Sequence, residues 1–95
     1  MAKIERTIDC GSADRLRWVA SLGEVHFFAH SGGNRLLCRV SRDYLEAAND
    51  RPRSHEACVA TARAHFDRIR RRAAYLVSIG RYEEGGSVLL TAEDW

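Results

Sequence analysis

The sequence has no long hydrophobic run: the longest, Ala73 to Val77, is five residues. A membrane-spanning helix needs roughly 20 apolar residues, so no such helix is encoded. The opening MAKIERTIDC is charged and lacks the apolar centre of a secretory signal. A cytoplasmic location is the expectation. Cysteine is sparse and odd in number, with Cys10, Cys38 and Cys58 far apart and no C-x-x-C pair. That pattern argues against a disulfide framework and a structural zinc site, and reads as reduced, packed thiols. Charge of one sign is also lacking. Fifteen basic residues against thirteen acidic ones leave +2, too little to imply a polyanionic partner by itself. There is no Gly-rich phosphate loop and no Ser/His/Asp order. His55-Glu56 has no second histidine at the spacing a zinc protease needs. No enzymatic activity, metal or cofactor is expected. Proline occurs once, at Pro52, and there are no repeats, linkers or low-complexity segments.

What is present fits one α+β domain over residues 1–95. Of the 95 residues, 45% are hydrophobic and 29% charged, an ordinary globular balance. The most informative stretch is Val25 to Val40, VHFFAHSGGNRLLCRV. Gly32-Gly33 fits a two-residue hairpin turn, because glycine accepts the positive φ such turns demand. Ser31 then pairs with Asn34, and Ala29/Leu36, Phe27/Cys38 and Val25/Val40 fall on one apolar face. His30/Arg35, Phe28/Leu37 and His26/Arg39 fall on the other. A one-residue slip would destroy this sorting.

Further along, Ser41 can cap a short helix over residues 42–48. The polar segment Asn49 to Arg53 breaks the chain. Ser54 can then cap a long helix ending near Ile79, with Gly80 as its stop. Its apolar stripe is Cys58, Ala62, Phe66, Ile69, Ala73 and Leu76, spaced as one buried helix face requires. Residues 81–86 read as a turn. Residues 12–22 are ambiguous between helical and strand periodicity, and an irregular or extended segment is the expectation. The fold class predicted is α+β: a small antiparallel sheet of about four strands (residues 4–8, 25–30, 36–40 and 88–91) with two helices packed on one face. Phe27, Ala29, Leu36, Cys38 and Val40 should meet Phe66, Ile69 and Leu76 in one core.

The residues that look like chemistry have simpler roles in this frame. His26 and His30 lie about 13 Å apart on a strand, too far to share one metal ion with bonds near 2 Å. Cys38 points to the opposite face, against Phe27, with no base or cation to activate it. Arg63, Arg68, Arg70, Arg71 and Arg72 suggest nucleic acid, but at 100° per residue they do not form one stripe. Asp67 can pair with Arg71 four residues on. A solvated helix whose arginine stems cover the core edges accounts for them, so nucleic acid is disfavoured and kept as the alternative. The second hairpin face remains: His26, Phe28, His30, Arg35, Leu37 and Arg39. It is the candidate surface for an unknown protein partner or for self-association, with both histidines expected to be accessible.

The run Val25-x-Phe27-x-Ala29, then Gly33, then Leu36-x-Cys38-x-Val40-Ser41 and Leu45-Glu46, resembles a family of small bacterial proteins catalogued as domain-of-unknown-function family fourteen-eighty-eight. Phe66, Ile69 and Ala73 on the long helix, with Gly86 and the strand Val88 to Leu90, are similar too. The resemblance covers roughly Ile4 to Thr91, with a weaker fit over residues 9–24. It implies an α+β fold with an antiparallel sheet and helices on one side. It supplies no activity, cofactor or catalytic residue.

Overall fold

The structure, a computed structural model, describes residues 8–48 and 54–95. Its frame is the hairpin of strands β3 (Glu24–Ser31) and β4 (Asn34–Val40). Gly32 and Gly33 turn the chain with φ of 55° and 83°, values that cost a side-chain-bearing residue far more than glycine. The pairing is the predicted one throughout, from Ser31↔Asn34 to Val25↔Val40. Both strands run longer than expected: β3 gains Glu24 and Ser31, and β4 gains Asn34 and Arg35.

Two short strands share the outer edge of β3. β1 (Ile8–Asp9) pairs with its end at Ser31 and His30, and β2 (Arg17–Val19) pairs with its start at Glu24 to His26. Residues 4–7 of the expected first strand lie outside the described residues, as does the polar break at residues 49–53. The ambiguous segment resolves into a 3-10 turn over Ala13–Arg15, followed by β2. The Ser12 hydroxyl accepts the Asp14 amide at 3.1 Å to start that turn, and Leu16 is buried behind it.

Helix α1 spans Arg42–Ala48, and the Ser41 hydroxyl accepts the Tyr44 amide at 3.4 Å. The expected long helix is two helices, α2 (His55–Ala64) and α3 (Phe66–Ser78). Ser54 caps the first as predicted, its hydroxyl accepting the Ala57 amide at 3.0 Å. Gly80, at φ 71°, follows the end of the second. The chain breaks at His65, where φ is −108° and ψ 21°. A straight helix over residues 55–79 would be roughly 37 Å long, against roughly 26 Å for an eight-residue strand. Breaking it lets α2 lie over β2 while α3 lies along the last strand. That strand, β5 (Val88–Leu90), pairs with β4 in parallel, Cys38↔Val88 to Val40↔Leu90. Among the described residues the sheet is therefore mixed rather than purely antiparallel, with five strands in the order β1-β3-β4-β5 and β2 also on β3. The three helices form a crossover, and a crossover of that kind brings the next strand in from the end where β4 began.

All six residues of the predicted helix stripe are buried, together with Phe27, Ala29, Cys38 and Val40 from the sheet. Leu36 is half-buried at the margin of this core. Phe27 and Phe66 meet edge to face, with centroids 5.4 Å apart at 76°, the geometry favoured by aromatic quadrupoles. Removing one of these rings leaves a cavity that the surrounding sheet cannot refill. Phe66→Ala should cost about 3–5 kcal/mol, measured as a lower denaturation midpoint in urea at unchanged slope.

Candidate functional site: the helix-free face of the sheet

Alternation along the strands puts Asp9, Arg17, Val19, Glu24, His26, Phe28, His30, Arg35, Leu37, Arg39 and Leu89 on the side of the sheet away from the core. The face has two halves. One is a charged cluster. Glu24 Oε1 receives His26 Nε2 at 2.8 Å and Arg39 Nε at 2.8 Å, and Oε2 receives Arg39 Nη2 at 2.9 Å. Arg39 Nη1 reaches the Ser87 hydroxyl at 3.4 Å. The arginine fork thus grips the carboxylate with two parallel bonds, the strongest form of this pair.

The cluster corrects one expectation. His26 is not accessible: it and Glu24 are each 8% exposed. Glu24 stands two residues before His26 on the same face. Arg39, directly opposite His26, folds its guanidinium across to that carboxylate. The residue that organises the face is therefore Glu24, which the sequence reading missed by starting the strand at Val25. The period-2 rule carried one step further would have placed it beside His26 and diagonal to Arg39. Burial opposes charge on Glu24, but hydrogen bonds from Arg39 and His26 outweigh it and hold the carboxyl below its ordinary value. The bond to Glu24 raises Arg39 in turn. A carboxylate so fully engaged is a poor proton acceptor. His26 Nε2, the atom a triad histidine turns toward its nucleophile, faces the carboxylate instead. The chemistry on offer is a locked charge pair.

The other half is apolar with a polar rim. Phe28 and Leu37 are cross-strand partners and half-buried. The Arg35 guanidinium lies 4.3 Å above the Phe28 ring, a cation–π contact. His30 and Arg35 are exposed, as predicted, and Asp9 lies opposite His30 on β1.

The alternative basic surface is dispersed. Arg70 Nε donates to Asp67 Oδ1 at 2.9 Å. Arg71 Nε donates instead to the Asp67 backbone carbonyl at 3.2 Å, so the expected Asp67–Arg71 side-chain pair is replaced by Asp67–Arg70. Arg68 lies 3.8 Å over the Trp95 ring, and Arg72 Nε donates to Asp94 Oδ1 at 3.0 Å. Arg63 is exposed. The three cysteines are buried and free. Burial pushes the Cys38 thiol up to about 12 and the Cys10 thiol up to about 11, so neither is poised as a nucleophile.

A family model described as a protein of unknown function, DUF1488, matches residues 13–90. No curated protein matches the sequence. A crystal structure of a protein of unknown function from the same family, from Shewanella loihica PV-4, superposes with a TM-score of 0.81 at 19% identity. It covers 93% of this chain and 96% of that one, a likeness of fold.

Two measurements test this electrostatic picture. Glu24→Gln removes the charge that pairs with the part-buried Arg39 guanidinium and should cost about 2 kcal/mol. Because the Glu24 value is lowered on folding, its contribution is fully present above the ordinary carboxyl range and is lost as pH falls through the lower folded value. The acid limb of the stability profile should therefore flatten in Glu24→Gln. The thiols act in the opposite direction. Unfolded cysteines ionise near 9.0, whereas Cys10 and Cys38 hold their protons to about 11 and about 12. Their contribution is complete below the unfolded value and falls away as pH rises toward the folded ones. Replacing both with alanine should reduce the slope of stability above pH 9.

Proposed function

This chain belongs to the DUF1488 family, a membership that brings no activity with it, and we propose that it acts as a non-enzymatic contact module presenting the helix-free face of its sheet to an acidic protein partner. The observation that carries this reading is the asymmetry of the sheet. Among the described residues the helices pack against the core side, and the other side ends in Phe28 and Leu37 ringed by charge. An apolar centre within a polar rim is the usual anatomy of a protein contact.

The sign of the partner follows from the charges. Among the described residues, the strands of this face carry Arg17, Arg35 and Arg39 against Asp9 and Glu24, and Glu83 also acts on Arg39. The Glu24 charge is already consumed by Arg39. At the apolar half the Arg35 residue is exposed and its guanidinium can pair outward, which favours an acidic segment of a partner there. The arginines of α3 lend less support to nucleic acid, because Arg68, Arg70 and Arg72 are engaged by Trp95, Asp67 and Asp94. Two apolar side chains are a small patch, so affinity should depend on the rim as well.

Phe28→Glu is the diagnostic change, since it reverses the character of the patch at a half-buried position. The variant should keep the native circular dichroism spectrum and lose the partner that the native chain retains in affinity capture. Retention of that partner by the native chain should fall with added salt. Capture unaltered by Phe28→Glu, or a partner whose contacting segment is basic, overturns the reading. A concentration-dependent dimer in sedimentation, abolished by Phe28→Glu, would replace it with self-association.

A further inference from the structure

The last five residues form a small folded unit. The Asp94 side chain accepts the Thr91 amide at 2.8 Å, and the Asp94 amide donates to the Thr91 carbonyl at 2.8 Å. The segment is thus shaped by its own bonds, and two side chains fasten it to the helices. Asp94 is fully enclosed and receives Arg72 Nε at 3.0 Å, with Arg81 Nη1 at 3.9 Å. Trp95 enters a cage: Arg68 stacks at 3.8 Å, and the Tyr44 and His65 rings meet it edge-on at 5.5 and 5.1 Å.

Two further observations bear on this seat. Tyr44, His65, Arg68 and Arg72 all lie within the stretch that matches the family, residues 13–90, whereas the segment that fills the seat lies beyond it. The Tyr44 hydroxyl is buried, makes no hydrogen bond of good geometry, and lies beside the Arg68 guanidinium. Arg68 therefore serves both the Trp95 ring and the Tyr44 hydroxyl, and ties the walls of the seat together. A guanidinium for a carboxylate and an aromatic cage for a ring together make a recognition site.

We propose that Tyr44, His65, Arg68 and Arg72 form a docking site for an acidic–aromatic peptide, a carboxylate followed directly by a large ring, and that residues 91–95 occupy this site in cis. The cis segment is a built-in competitor. A short tether keeps it at an effective concentration on the order of millimolar, so a partner must displace it or match its contacts. This site is separate from the helix-free sheet face and does not depend on it.

The probe is a fluorescein-labelled peptide of the chain's own sequence, Leu-Thr-Ala-Glu-Asp-Trp. It should bind the full-length Asp94→Ala/Trp95→Ala variant at least about tenfold more tightly than the native chain, because the competitor is gone. Adding Arg68→Ala should abolish the gain, as should replacing Asp by Asn and Trp by Ala in the peptide. A folded double variant that binds no more tightly than the native chain overturns the proposal, and so does binding indifferent to Arg68. The native chain provides a second test if the double variant does not fold. Labelled with 5-fluorotryptophan, its Trp95 resonance should move when unlabelled peptide reaches several times the effective concentration of the tether, while Trp18 stays in place. A stationary Trp95 resonance under those conditions also overturns it.

Discussion

The register of the β3–β4 hairpin is the constraint on which the other features rest. Gly32 and Gly33 set it, and every cross-strand pair follows from it. It places Phe27, Ala29, Cys38 and Val40 where α2 and α3 can cover them. It also fixes the neighbours of the hairpin: β2 aligns Arg17 with His26, and β5 aligns Leu89 with Arg39. Because side chains alternate with period 2, a single choice at the turn decides the identity of both faces at once.

The buried ion pair on the helix-free face is understood best through that constraint. Taking Glu24 and Arg39 out of water is expensive, and a buried pair is weak evidence for net stability. Here a one-residue slip would carry one of the two groups into the apolar layer without its partner, Glu24 if β3 slips and Arg39 if β4 does. Unpaired burial of a charge costs several kcal/mol, so the cluster penalises the wrong register more than it stabilises the right one. His26 completes it by adding a second donor to Oε1.

Local signals accounted for much of this in advance. The hairpin pairing, the caps at Ser41 and Ser54 and the stripe from Cys58 to Leu76 all rest on spacing within a few residues, and spacing is visible in sequence. The misses share a different origin. The break at His65 has no proline or glycine to announce it. It follows from the length of the sheet that the helices must cover and from the ring contact with Trp95. The parallel sense of β5 depends on the path of the crossover, which no window of residues contains. The burial of His26 depends on where the long Arg39 side chain goes after leaving the strand. Alternation specifies a face, but it does not specify whether neighbours on that face lie down over one another. Of the candidate surface, Phe28, His30, Arg35 and Leu37 stand as the spacing implied, while Arg39 and His26 are drawn into a cluster around the unrecognised Glu24.

The same difference between spacing and reach separates the two basic regions of the molecule. Counting arginines makes α3 the more cationic element. Yet a guanidinium stacked on an indole, as Arg68 is, or paired with an enclosed carboxylate, as Arg72 is, must leave that partner before it can meet a phosphate. Attraction to the phosphate is then offset by the broken stack or ion pair, and the enclosed Asp94 would be left without its closest cation. On the sheet face, Arg35 rests on Phe28 at 4.3 Å with its residue exposed. There the guanidinium can pair outward while keeping the ring beneath it, since the stacking face and the donor edge of a guanidinium are different parts of the group. Contact through this face therefore uses the arginine without dismantling anything in the fold.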